Sequence, residues 1–443
     1  MNTTLPDSLP ESLPGPLPDW MATAETRRLF AALVAGGGTA PRFVGGCVRD
    51  AILGLAPADI DLATPETPEV VVRRLRAAGL KAVPTGIAHG TVTAVVPPAL
   101  FQITTLRRDV ATDGRHAEVA FAADGTPESW AADARRRDFT INALYADADG
   151  RLHDFTDGRA DLAAGIVRFI GDPAARVTED YLRVLRFFRF HARFGRGAPD
   201  AASLMACAAA AAAGQLARLS GERVRDELLK ILALPNAAEA LALMSQAGVL
   251  AALLPDARFD AMAVARLVAL QQQVAAAGGI EPEVWPRLAL LFSPAEAGRA
   301  DAVADRLKLS NAQRLRLDGL LTPLPLDWAA VADDEAFRQA LYRHGAERCR
   351  DHVLLAAVDD PARYALAQRR LAEATAWRRP VFPVRGADLL ALGFPPSPTI
   401  SGVLKELEAW WAADGFRADR ETCLQRLQMQ DAAEADDGAD STR

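Results

Sequence analysis

A chain of 443 residues, half of them hydrophobic and 24% charged, has the composition of a soluble globular protein and the length for roughly two to four domains. No apolar run approaches the roughly eighteen residues of a membrane span. Cys47, Cys207, Cys349 and Cys423 are too scattered for a zinc site or a disulfide framework, which fits a reducing cytoplasm.

The net charge of −7 comes from the two ends. Residues 1–19 hold three acids and no base, and residues 431–443 hold five acids against Arg443. The remainder is near neutral, with arginine far outnumbering its four lysines. The planar guanidinium suits phosphates and base edges, although a GC-rich genome would give the same bias.

The leader repeats Leu-Pro without a basic start or an apolar segment, so it is no secretory signal and is predicted to be disordered. Residues 20–36 follow as a helix, with Asp19 placed to cap it. Phe43-Val44-Gly45-Gly46 reads as a strand entering a tight turn, and Val48–Leu55 as a short amphipathic helix. A second strand carries Asp59 and Asp61. Alternation puts both carboxylates on one face and sends Ile60 and Leu62 to the core. Paired carboxylates beside a turn that exposes backbone N–H groups suit a metal-bound triphosphate. Gly-Gly and Asp-x-Asp also occur as plain turn chemistry.

Thr64–Pro68 leads into a helix over Val70–Ala78. Thr91–Val96 and Leu100–Leu106 read as antiparallel strands around Pro97-Pro98, giving a small mixed sheet with helices on one side. Arg107–His116 is polar and unpatterned, as a mobile loop would be. Val119–Phe121 returns to strand. Thr126-Pro127-Glu128 opens a helix ending in Arg135-Arg136-Arg137-Asp138. Phe139–Tyr145, with Asn142, alternates as a strand, and a turn at Asp149-Gly150 leads to a short strand ending at Asp154.

From about Asp157 the pattern is helical. The helix from Glu179 carries Arg183, Arg186, Arg189 and Arg193 within about 120° of its circumference, above an aromatic underside. Such a stripe is ordinarily a solvated face; Glu179 and Asp180 at its start point instead to a polar pocket. Met205–Ala213 and Arg223–Leu232 are helical. Beyond Pro235 there are amphipathic helices broken near Gly248, Pro255, Gly278-Gly279, Pro323–Pro325 and Pro380–Gly386, without a repeat period.

No Gly-x-Ser-x-Gly, His-Glu-x-x-His, Walker lysine or Gly-x-Gly-x-x-Gly is present. Metal-assisted nucleotidyl transfer needs no protein nucleophile, because carboxylate-held metals activate the attacking hydroxyl and steady the leaving group. The candidates group accordingly. Asp59 and Asp61 would hold Mg²⁺, and Gly45, Gly46 and Arg49 the phosphates. Arg136, Arg137, Asp138 and Asn142 lie where a helix meets a strand, and Asp180, Arg183, Arg186 and Arg189 lie on the arginine-striped helix.

The segments GGCVRD with DID, RRDFTIN (Arg136–Asn142), DFTDGRADL (Asp154–Leu162), EDYLRVLR (Glu179–Arg186) and GERVRDELLKIL (Gly221–Leu232) resemble, in order and spacing, the motifs of class II tRNA nucleotidyltransferases. These are the CCA-adding enzymes and their poly(A) polymerase relatives. The resemblance implies an α+β fold, with a polymerase beta-like mixed-sheet head over residues 20–155. An all-helical neck (156–235), body (236–330) and tRNA-binding tail (331–430) would follow, then a disordered acidic end (431–443). It implies addition of CCA to tRNA from CTP and ATP without a nucleic-acid template, with Mg²⁺ and release of pyrophosphate.

In that family's manner, Asp180 would accept from the exocyclic amino group of cytosine or adenine while Arg183 donates to the ring nitrogen. Arg137 and Asp138 would lie near the sugar and phosphates, with Arg186 and Arg189 supporting the pocket. Arg107–His116 resembles the family's flexible loop, which argues against an enzyme adding only C. The rival readings are a poly(A) polymerase or A-adding enzyme, and a non-catalytic RNA-binding relative. One departure is Gln102, where many relatives carry a third carboxylate. The carboxylate is then dispensable, or Asp109 or Glu118 substitutes, or catalysis is weaker. No feature sets the oligomeric state.

Overall fold

The computed structural model describes residues 11–13, 15–86, 90–112, 117–121, 124–278, 280–292, 298–395 and 399–429. The first ten residues and the acidic end lie outside them, as do residues 113–116 of the expected loop. The chain divides into two compact units, Met1–Ala257 and Arg258–Arg443. The α+β class holds: among the described residues strands are confined to the first unit, which ends in helices, and the second is helical.

In the first unit, α1 (Ala24–Val34) precedes β1 (Arg42–Val44), α2 (Gly46–Ile52), β2 (Ile60–Thr64) and α3 (Pro68–Ala77). Strands β3 (Lys81–Gly86), β4 (Thr91–Val96) and β5 (Ala99–Thr105) follow, then β6 (Arg107–Thr112) and β7 (Ala117–Phe121). Helix α4 (Pro127–Arg135), β8 (Leu144–Ala146) and β9 (Leu152–Asp154) complete the head. The main sheet runs β3-β4-β5-β2-β1-β8-β9, and only the β2–β5 pair is parallel. Strands β6 and β7 form a separate two-stranded ribbon.

Several expectations change. Thr23, not Asp19, caps α1 by accepting from the Thr26 N–H, because Asp19–Met21 form a separate 3-10 turn. The part of the leader that is described is ordered rather than disordered. Its Leu13 N–H donates to the Gly150 carbonyl, Ser12 bridges Arg151, and Leu13 is buried over the sheet edge that β9 would otherwise leave bare. Trp20 then packs edge-on against Phe43 of β1 at 5.0 Å. Residues 107–112, expected as a loop, are strand β6. The stretch 139–145 is not one strand, since Thr140–Asn142 form a 3-10 turn before β8.

That turn is pinned from two sides. Thr140 donates its hydroxyl to Asp161 at 2.6 Å, and an added Cβ on Gly158 would come within 2.2 Å of the Thr140 carbonyl oxygen. Only glycine permits this approach, which accounts for the Asp-Gly in DFTDGRADL. Helix α5 (Gly158–Ala164) follows, then α6 (Pro173–Glu179), α7 (Leu182–Phe194), α8 (Ala201–Ala212), α9 (Gly221–Leu232), α10 (Ala237–Gln246) and α11 (Val249–Leu253). The expected helix from Glu179 is therefore two helices meeting at Asp180, whose backbone is extended there. Its carboxylate accepts from the Leu182 N–H at 3.1 Å, a local bond that favours a break over helix continuation. Helices α10 and α11 bury Leu241, Met244 and Val249 and fall within the first unit.

The second unit has one core around Leu267, Phe337, Val353 and Leu371 and another around Tyr342, Leu407, Trp411 and Cys423. No helix among the described residues is long and apolar enough to cross a membrane.

Candidate active site

Gly45 opens α2 with φ +78°, a conformation in which a side chain is strained. A Cβ there would sit 3.6 Å from Arg137 Nη1 and 3.5 Å from the Asn142 carbonyl oxygen, so the glycine turn and the arginine share one wall. Asp61, the second residue of β2, is half-buried beside them. Burial raises its carboxyl pKa; the Arg137 charge pulls it back down, and the Asp59 charge adds to the rise. Asp59 is exposed and lies on the bend before β2 rather than in the strand. The two carboxylates are close enough to repel, which suits a shared cation.

They supply hard oxygen donors, but two carboxylates are a minimal set. Among the described residues no group of three or more His, Cys, Asp or Glu is placed to hold an ion, so substrate phosphates would have to complete the shell. Cys47 packs its Sγ 3.6 Å from the Asp61 carbonyl. Burial pushes its thiol up to about 11, and the Sγ lies against the Val44 carbonyl as well.

The third position of the carboxylate set is visible in the sheet register. In the parallel β2–β5 pair Gln102 lies directly opposite Asp61, so the two side chains share a face. An amide there gives hydrogen bonds but no negative charge. The side chains of Asp109 and Glu118, the alternative carboxylates, lie outside the described residues.

Arg136 and Arg137 are held by Asp133, one helical turn earlier on α4. Asp133 accepts from Arg136 Nε at 2.7 Å, from Arg137 Nη2 at 3.1 Å and from the Tyr145 hydroxyl at 2.8 Å. Burial alone would raise this carboxyl, but Arg137 and Arg136 outweigh it and hold the pKa at about 2. Asp138 turns the other way, to α7. It accepts from Arg186 Nε at 2.7 Å and from Asn142 Nδ2 at 3.1 Å.

Asn142 in turn accepts from Arg49, which also donates to Asp50 at 2.9 and 2.7 Å. Arg49, only 4% exposed, lies over Phe194 at 4.1 Å. It faces inward and positions Asn142, whereas the sequence suggested a phosphate contact. Arg189 donates to Glu227 of α9 at 2.6 Å, and Phe190 lies under Arg186 and Arg189. The arginine stripe is therefore a paired layer rather than a solvated face.

The Arg183 N–H donates to the Asp180 carbonyl at 3.0 Å, but the two side chains take other partners. Arg183 donates to Glu179 at 2.5 Å and to the Arg176 carbonyl at 2.9 Å, and its Nη2 lies 3.4 Å from the Arg136 carbonyl oxygen. Asp180 accepts from Arg223 at 2.7 Å. Reasoning from sequence missed Asp133, Tyr145, Arg223 and Glu227. For Asp133 a signal existed, since it precedes Arg136 and Arg137 by three and four residues, the spacing of helical ion pairs. Tyr145 and Arg223 meet their partners only through tertiary packing; Glu227 has Lys230 three residues on in its own helix but meets Arg189 only where α9 packs on α7.

Comparison with known proteins adds a family. The family model described as "Poly A polymerase head domain" matches residues 41–168, and that described as "Probable RNA and SrmB- binding site of polymerase A" matches residues 202–260. The chain is 33% identical over 384 residues to the mitochondrial CCA tRNA nucleotidyltransferase 1 of Mus musculus, covering 86% of this chain and 85% of that one. Identity to the same enzyme of Homo sapiens is 34% over 387 residues, with 86% and 85% covered. Among solved structures, a CCA-adding enzyme in complex with ATP superposes with a TM-score of 0.70 at 22% identity, covering 91% of this chain and 94% of that one. The Bacillus stearothermophilus CCA-adding enzyme in complex with CTP gives 0.65 at 24% identity, with 93% and 100% covered. These two likenesses bear on the fold.

Proposed function

The chain belongs to the family of CCA tRNA nucleotidyltransferases, and from that premise we propose that it adds CCA to tRNA 3′ ends from CTP and ATP, releasing pyrophosphate. The observation that carries this reading is one dipeptide. Arg137 borders the Gly45 turn and acts on Asp61, while Asp138 is tied to Arg186 on α7. The phosphate side and the base side thus meet at consecutive residues.

Enzymes of this kind depend on a divalent metal, here Mg²⁺ in our reading, which would favour ionisation of the tRNA 3′-hydroxyl and offset charge on the leaving pyrophosphate. Asp59 and Asp61 would hold it together with triphosphate oxygens. Gly46, in the first turn of α2, would present its backbone N–H to the phosphates beside Gly45, whose own N–H donates to the Leu144 carbonyl at 2.9 Å, and Arg137 adds its positive charge. The hydroxyl attacks the α-phosphate in line, forming the new ester as the bond to pyrophosphate breaks.

Asp180 accepts from the amino group of cytosine or adenine, and Arg183 donates to the adjacent ring nitrogen. Guanine and uracil present the reverse pattern and leave both side chains unpaired. Arg186 and Arg189 brace this pair through Asp138 and Glu227. The helices of residues 236–330 and 331–430 grip the acceptor arm by charge and shape. Four free, buried cysteines favour a reducing compartment, and we place the protein in the cytoplasm.

The test is incubation with tRNA lacking CCA, supplied with labelled CTP, then with CTP and ATP. Two CMP followed by one AMP is the expected product. Absence of CMP incorporation removes this reading, and AMP incorporation alone would assign an A-adding enzyme or a poly(A) polymerase. A companion variant tests the third-carboxylate position. Gln102→Glu is expected to incorporate CMP within about threefold of wild type, because two carboxylates and the triphosphate suffice. A large gain in rate would mean that the wild-type site lacks a needed charge.

A further inference from the structure

Asp133 is 1% exposed, near the end of α4, and receives more donors than any residue assigned above. Oδ2 accepts from Arg137 at 3.1 and 3.3 Å and from the Tyr145 hydroxyl. Oδ1 accepts from Arg136 and, at 3.3 Å, from the backbone N–H of Arg107. Arg107 is the first residue of β6, where the β6–β7 ribbon leaves the main sheet. The residue before it is tied down separately, since the Leu106 N–H donates to the Thr64 carbonyl at the end of β2.

One carboxylate therefore joins three things: the root of the ribbon, the arginine that borders Gly45, and the arginine whose carbonyl lies against Arg183. We propose that Asp133 is a positioning residue that couples the β6–β7 ribbon to Arg136 and Arg137, so that the placement of the ribbon root sets where both arginines point. An ionised carboxylate has about four acceptor sites, and all are engaged. If the ribbon root moves, Oδ1 moves with it or gives up that bond, and Oδ2 carries the shift to Arg137. The coupling is reciprocal, so a change at the arginines is felt in the ribbon.

The kinetic half of the test rests on the nucleotidyltransferase reading; the exchange half does not. In Asp133→Asn the shape is kept, but the amide turns an NH₂ toward donors. The KM for CTP and for ATP is expected to rise by about tenfold, with kcat within about threefold, because binding of the phosphates is lost more than chemistry. Tyr145→Phe, which removes one donor to Oδ2 and the Arg137 Nε contact at 3.2 Å but leaves both ties between Asp133 and the arginines, is expected to keep KM near wild type. Hydrogen exchange of the amides of Arg107–Thr112 is expected to quicken in Asp133→Asn and, by reciprocity, in Arg137→Gln, with the rest of the head unchanged.

An unchanged KM in a folded Asp133→Asn, or ribbon exchange unmoved in Arg137→Gln, overturns the proposal. A fall in thermal midpoint with exchange quickened evenly over the head also overturns it, since that marks a purely structural role. If Asp133→Asn does not fold, Arg137→Gln decides alone. A wild-type protein that incorporates neither CMP nor AMP removes the functional reading instead, and the exchange result still decides the coupling.

Discussion

Asp61→Ala is expected to lower CMP incorporation by about a thousandfold or more, roughly 4 kcal/mol of transition-state stabilisation, without lowering the thermal midpoint of the metal-free protein. The two halves of this expectation have separate causes. The activity falls because a lone, exposed Asp59 cannot fix a cation against the triphosphate. Stability holds because of the sign of the Asp61 shift. Burial raises this carboxyl above its ordinary value and Asp59 adds to the rise, so the ionised group is less favourable in the folded chain than in the unfolded one. Removing it removes that cost at neutral pH. Arg137 is not stranded by the change, since it keeps Asp133 and Tyr145.

Single-turnover incorporation and thermal unfolding without metal measure both quantities. Retained activity would show that the active site lies elsewhere. A large fall in midpoint would show that Asp61 is a structural residue. Asp59→Ala is a useful companion because it isolates the repulsion: its loss lowers the Asp61 pKa while also disabling the pair.

How much of this was legible in the chain follows from which residues act locally. The Gly-Gly turn and the two aspartates could be read because a turn and a strand are decided within a few residues. The pairs Thr91–Val96 and Ala99–Thr105 alternate cleanly because one face is buried and the other is not. Strand β3 is not legible in the sequence because it carries Pro84 and ends at Gly86; it lies on the sheet edge, where a missing N–H is tolerated. The second strand of the ribbon is legible at Val119–Phe121, but its first strand reads as loop because Arg-Arg-Asp-Val-Ala-Thr has no apolar face, and a two-stranded ribbon needs none to pair its backbone. The turn at Thr140–Asn142 reads as strand because Phe139 and Ile141 are apolar at alternate positions, although every residue from 139 to 146 is buried. What bends it there is the contact with Gly158, eighteen residues later. The base-side arginines could be named, but not their partners, since Glu227 and Arg223 reach them only when α9 packs on α7.

That distinction between naming a residue and knowing its partner bears on Arg183. Arg183→Ala is expected to lower the preference for CTP over UTP by about a hundredfold, roughly 3 kcal/mol, and to lower CTP incorporation by less. In the structure Arg183 is held by Glu179 and the Arg176 carbonyl, and Asp180 by Arg223, whose side chain is 51% exposed. An ion pair at such a rim is worth little, so Asp180 can exchange Arg223 for a base amino group at small cost. Arg183 already lies beside Arg136, and its exchange of Glu179 for a ring nitrogen leaves Glu179 paired with Arg176 at 3.0 Å. The same pairing protects the fold when Arg183 is replaced, so a change in selectivity is not a by-product of unfolding. Discrimination depends on the wrong base leaving a buried donor unpaired. Once the guanidinium is gone, uracil no longer leaves that donor unpaired and is opposed by Asp180 alone, while cytosine loses one hydrogen bond. The ratio of kcat/KM values for CTP and UTP therefore decides the matter better than either rate. A variant that loses rate equally for both bases would place base selection elsewhere and reduce Arg183 to a brace between α6 and α7.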